Sequence, residues 1–105
     1  MRATGITTHI ENNHDIIIPK LLLQYIKCAS GKENVHGYID GTDLILSVYE
    51  RKDLTEKKHV MLELDGMFLN TDKVLRKLHW AKTKTNVEFF VIDAGLLLRG
   101  VPKTK

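Results

Sequence analysis

The chain is short of cysteine, proline, tryptophan and long apolar runs, and each shortage excludes something. One cysteine, Cys28, in 105 residues rules out an intrachain disulfide, so a reducing compartment fits best. Cys28 falls on an apolar stretch read as helical, where a packing role is expected. No segment reaches the roughly 20 apolar residues of a membrane-crossing helix. The first greasy run is broken by Asp15, Pro19 and Lys20, and Met1-Arg2-Ala3-Thr4-Gly5 lacks the apolar core of a signal peptide. The expectation is a soluble cytoplasmic protein with no membrane partner. The glycines Gly37, Gly41, Gly66, Gly95 and Gly100 are isolated and form no phosphate-cradling loop. The histidines His9, His14, His36, His59 and His79 show neither HExxH nor a zinc spacing, so each is read as structural or surface, and no metal or cofactor is expected. Ser30 and Ser47 have no base nearby in sequence. These absences favour a non-enzymatic protein.

What is present is ordinary for one globular domain with one core: 43% hydrophobic and 28% charged residues. Lys and Arg number 16 against 13 Asp and Glu, a net charge of +3 that permits a polyanionic partner without requiring one. The chief regularity is an internal pseudo-repeat, over about residues 3–50 and 58–101. In the first half Ile18 to Ile26 reads as a helical run, followed by Val35 to Asp40 and Leu44-Ile45-Leu46 as a hairpin. In the second, Thr71 to Leu78 is followed by Val87 to Asp93 and Leu96-Leu97-Leu98. Ile39-Asp40 and Ile92-Asp93 open the two hairpin turns. Ala3 to Glu11 and His59 to Leu64 alternate and read as further strands. The fold class expected from this order is α+β: two pseudo-repeated β-α-β-β units forming a mainly antiparallel sheet, with two helices on one face. Phe89-Phe90-Val91-Ile92 is apolar on both sides of a strand, which implies that part of the opposite face is also covered.

The strongest chemical signal lies in the second helical run. On a helical wheel Lys73, Arg76, Lys77, Trp80 and Lys84 share one side, and Val74, Leu75, Leu78 and Ala81 the other. Cations at that spacing could neutralise successive phosphates, and Trp80 could stack on a base. The first run adds Lys20 and Lys27 on a polar face without acids. The ordinary alternative is a solvated helical face with Trp80 at the core edge.

Two βαβββ units, basic helices at Pro19–Ala29 and Thr71–Lys82, and hairpins ending in Leu44-Ile45-Leu46 and Gly95-Leu96-Leu97-Leu98 make the layout resemble the DNA sliding clamps. The resemblance implies DNA-facing roles for Lys20, Lys27, Lys73, Arg76 and Lys77, and an oligomeric ring. The chain departs from the family in carrying one such domain and in ending before a last strand. Three functions are therefore set against one another. One is a DNA-associated module gripping phosphate through Lys20, Lys27, Lys73, Arg76, Lys77, Trp80 and Lys84. Another is a protein-binding module or inhibitor, of phage or mobile-element type, acting through its sheet face or edge. The last is a small nuclease using Asp40 and Asp93, although Asp at a turn usually serves the turn.

Overall fold

Strands make up most of the described chain, which is a β protein. The computed structural model describes residues 2–10, 15–26, 32–54, 56–74, 78, 85–93 and 95–102. The elements are β1 (Arg2–His9), β2 (Asp15–Ile17), α1 (Lys20–Leu23), β3 (Lys32–Asp40), β4 (Asp43–Ser47), β5 (Lys58–Asp65), β6 (Phe68–Asn70), β7 (Thr85–Ile92) and β8 (Gly95–Pro102). A single 3-10 turn, Lys52–Leu54, lies in the connection between β4 and β5. The strands form one sheet in the order β1-β7-β8-β4-β3-β5-β6-β2. All its pairings are antiparallel. A bridge between Ile10 and Ile16 brings the two ends of that order together, so the sheet nearly closes into an eight-stranded barrel.

This overturns the expected α+β sheet with two helices on one face. The physical reason is the pairing of the first strand in each half. β1 pairs with β7 and β5 with β3, so each half lends a strand to the other, and the sheet curls on itself. Two strands of three residues complete the ring by pairing Ile16 with Leu69. α1 is one turn long, and the chain continues through i to i+3 bonds from Tyr25 N to Leu22 O and from Ile26 N to Leu23 O. Of the second helical run, Leu78 N donates to Val74 O at 2.9 Å. Residues 75–77 and 79–84 lie outside the described residues. The α+β reading falls with this fold, which lends the clamp-like layout no support.

Exchanging β1–β4 for β5–β8 leaves the cyclic strand order unchanged. The registers carry the same twofold. Ile45 stands opposite Leu97, 52 residues further along the chain, and Ile16 opposite Leu69, 53 further along.

The barrel interior is filled by side chains from every layer. Val35, Leu44, Leu46, Leu62, Leu64, Val87, Phe89, Leu96 and Leu98 point inward from the strands, joined by Leu22, Ile26, Val74 and Leu78 from the helical segments. The helical spacing expected for the first run holds at Leu22 and Ile26, which are buried, and at Lys20 and Gln24, which are exposed. A second, smaller cluster lies outside the barrel over the central strands: Tyr38, Ile45 and Leu97, with Phe90, Ile92 and Leu54 packed against them. Phe89 and Phe90 thus face opposite apolar environments, as their two-sided pattern implied.

The connection between halves, Val48 to Lys57, crosses that outer cluster as a strap. Leu54 supplies its apolar contact. Arg51 N donates to the Tyr38 hydroxyl at 2.7 Å, and Arg51 Nη1 donates to Asp93 O at 2.8 Å. Lys57 Nζ donates to Asp40 Oδ1 at 3.1 Å. The strap is therefore tied to both hairpin turns, the places where Asp40 and Asp93 stood out in sequence.

Candidate functional site

Among the described residues the barrel's closure is incomplete at two equivalent places, and one of them is the candidate site. β5 pairs with β3 over all eight of its residues, from Lys58↔Ile39 to Asp65↔Lys32. On its other side it pairs with β6 only at Leu64 and Asp65. Gly66, at φ 62°, turns the chain sharply there, and β6 then leaves to meet β2. Among the described residues no strand pairs with the second edge of Lys58 to Glu63. Where β5 and β6 part, an open groove of about 410 Å³ is lined by Asn34, Met61, Leu62, Glu63, Asn70, Asp72 and Lys73. The Asn70 side chain accepts from Asp72 N at 3.0 Å and Val74 N donates to Thr71 O at 3.0 Å, which fixes the wall carrying Asp72 and Lys73.

The twofold-equivalent edge belongs to β1. It differs in one respect: the β1–β7 register shifts between Ala3 and Thr7, around Gly5 at φ 73°. Thr4 Oγ1 holds this bulge, donating to Phe89 O at 2.8 Å and accepting from Ile6 N at 3.1 Å. A bulge twists and blunts an edge. The β5 register has no such shift. Of the two openings, the one along β5 is therefore the regular one.

Beside the groove, the outer face of β3 and β5 carries a cluster of rings. The register places Asn34 opposite Glu63, His36 opposite Met61 and Tyr38 opposite His59. His36 Nδ1 and His59 Nε2 are 2.8 Å apart. Their ring centroids are 5.0 Å apart with planes at 12°. A face-to-face stack cannot bring two ring nitrogens so close at that centroid distance, so the imidazoles meet edge to edge, nearly coplanar, through one N–H···N bond. Tyr38 stacks on His59 at 4.7 Å and 19°, and its hydroxyl is held by the strap at Arg51 N. At the position equivalent to Tyr38, Phe90 is instead covered by Arg99, whose guanidinium lies 5.0 Å from the ring centroid. Arg99 is held there by two bonds to the Asp43 carboxylate, at 3.0 and 3.1 Å, which raise its pKa further. In the strap, Arg51 binds both oxygens of Asp53, at 2.9 and 2.8 Å. That hydrogen bonding holds the Asp53 carboxyl below its ordinary pKa and raises that of Arg51.

Of the seven residues read as nucleic-acid contacts, Lys73 lines the groove and Lys20 is exposed at the start of α1. Because β2 and β6 run antiparallel, Lys20 and Lys73 leave from opposite ends of that pair. Lys27, Arg76, Lys77, Trp80 and Lys84 lie outside the described residues, as does Cys28. The described residues lend a DNA-binding reading no support. Sequence reasoning missed the histidine pair: His36 and His59 stand 23 residues apart, and only the β3–β5 register joins them. Alternation alone put each on the outward side of its strand. Asp40 and Asp93 are engaged with the strap in different ways, one through its carboxylate and the other through its backbone carbonyl.

Among the described residues no three His, Cys, Asp or Glu side chains are grouped to hold a metal ion, and no helix is long and apolar enough to cross a membrane. No protein-family model, no curated protein and no solved structure matches this chain.

Proposed function

We propose that this chain is a protein-binding module that takes an extended segment of a partner protein along the open edge of β5. The observation behind this reading is the edge itself: a regular strand bonded to a neighbour on one side, with Lys58 to Glu63 unmatched by a strand on the other. Such an edge presents backbone donors and acceptors in a row, and an added strand satisfies them. The groove receives the incoming segment's side chains. Met61 offers an apolar contact, Glu63 negative charge and Lys73 positive charge, so both signs line the groove for register and specificity. The bulge at Gly5 explains why the equivalent β1 edge does not compete.

The test is selection of eight-residue peptides displayed at random against the full chain, followed by amide hydrogen exchange with the best binder. Added protection at alternating amides within Lys58 to Glu63 is the expected footprint. Binders whose protection falls on β1, or a chain that captures double-stranded DNA through Lys20 and Lys73 but no peptide, would overturn the reading.

A further inference from the structure

The histidine pair carries a separate conclusion. We propose that His36 Nδ1 and His59 Nε2, with the Met61 thioether beside them, form a binding site for a soft monovalent metal ion of the copper(I) class.

The two nitrogens already point at each other along one line, 2.8 Å apart, in rings inclined by only 12°. A head-on pair of imidazoles is the arrangement that a linearly coordinated ion occupies, taking the place of the shared proton. With metal–nitrogen bonds of about 2.0 Å, the rings need to separate by roughly 1.2 Å. No strand has to move for that, because both side chains stand on the outer surface. The third donor matches in softness. Met61 lies directly opposite His36 and two positions along β5 from His59, so all three side chains leave the same face. Met61 is 37% exposed, which leaves its thioether on the accessible outer face with the two rings. Imidazole with thioether selects copper(I), whereas zinc calls for a fourfold set of His, Cys and carboxylate ligands. The described residues supply no third member of that kind. The pair is also held in place: Tyr38 stacks on His59 and is itself anchored by Arg51 N.

The proton balance is simple. One imidazole donates the shared hydrogen bond from the nitrogen that must ligate. On binding, that ring moves its proton to its far nitrogen. His36 then carries hydrogen on Nε2 and His59 on Nδ1, and a neutral pair releases no net proton.

The test is anaerobic titration of the reduced full chain with copper(I) against a chromophoric bicinchoninate competitor. One equivalent should bind. His36→Ala and His59→Ala should each weaken it by at least ~100-fold, beyond the 10–100-fold typical of outer-shell partners, and Met61→Leu by about tenfold. His59→Gln, which keeps a planar group over Tyr38, should weaken binding as much as His59→Ala, which separates ligation from packing. Nitrogen NMR of the imidazoles should show the two tautomers named above. The proposal is overturned if binding survives His36→Ala, if it disappears in Cys28→Ser, or if zinc(II) binds more tightly than copper(I).

Discussion

Gly95 shows how one missing methyl group can decide a strand pairing. A Cβ built there would lie 1.9 Å from the backbone oxygen of Leu46, which cannot yield without opening β4 from β8 beside the twofold axis. At Gly37 the nearest atom is the Leu62 Cδ1, at 2.9 Å, the mobile end of a side chain. Gly95→Ala is therefore expected to destabilise by ~3 kcal/mol or more and Gly37→Ala by about 1 kcal/mol, as read from urea unfolding. Asp53 gives a pH-dependent case. Its folded-state pKa is lowered by Arg51, so its contribution is present at neutral pH and disappears as pH falls through that lowered value. The melting temperatures of wild type and Asp53→Asn should differ at neutral pH and converge as the pH falls below the ordinary carboxylate range, with the neutral-pH difference shrinking in high salt.

At the scale of elements, the long hairpins were legible and the pairing of the short strands was not. β3–β4 and β7–β8 combine alternation with turn residues, and local chemistry fixes both. The burial of Leu22 and Ile26 was legible too, because one helical turn suffices to set that period. β2 and β6 have three residues each, below the length at which a period can be read, yet their pairing completes the barrel. In the strap Leu54 packs on the outer apolar cluster, while Arg51 and Lys57 bond to the two hairpin turns. Leu69→Ala, at the centre of β6 and fully buried, should cost ~2–5 kcal/mol, with amide exchange rising in β2 as well as β6. An effect confined to β6 would show that the two short strands do not close the ring together.

Over the whole molecule, local patterns do not say how the two halves combine. Two copies of one unit can lie side by side or exchange strands, and the local patterns are the same in both cases. Here β1 pairs with the second half and β5 with the first. Each half alone would expose the inner faces of its strands and lose a neighbour at one edge. Chains 2–54 and 56–102 are accordingly expected to be unfolded separately and to recover the native circular dichroism when mixed, whereas side-by-side halves would fold alone. The same exchange creates the openings beside β1 and β5, one blunted by a bulge and the other regular, so the proposed docking edge is a consequence of the topology. Its most direct test is native-state amide exchange along β5 in the free chain. An open edge predicts alternation through residues 59–63, with amides bonded to β3 protected and those facing away exchanging fast. Uniform protection along those five residues would mean that the edge is already covered, and would contradict the account.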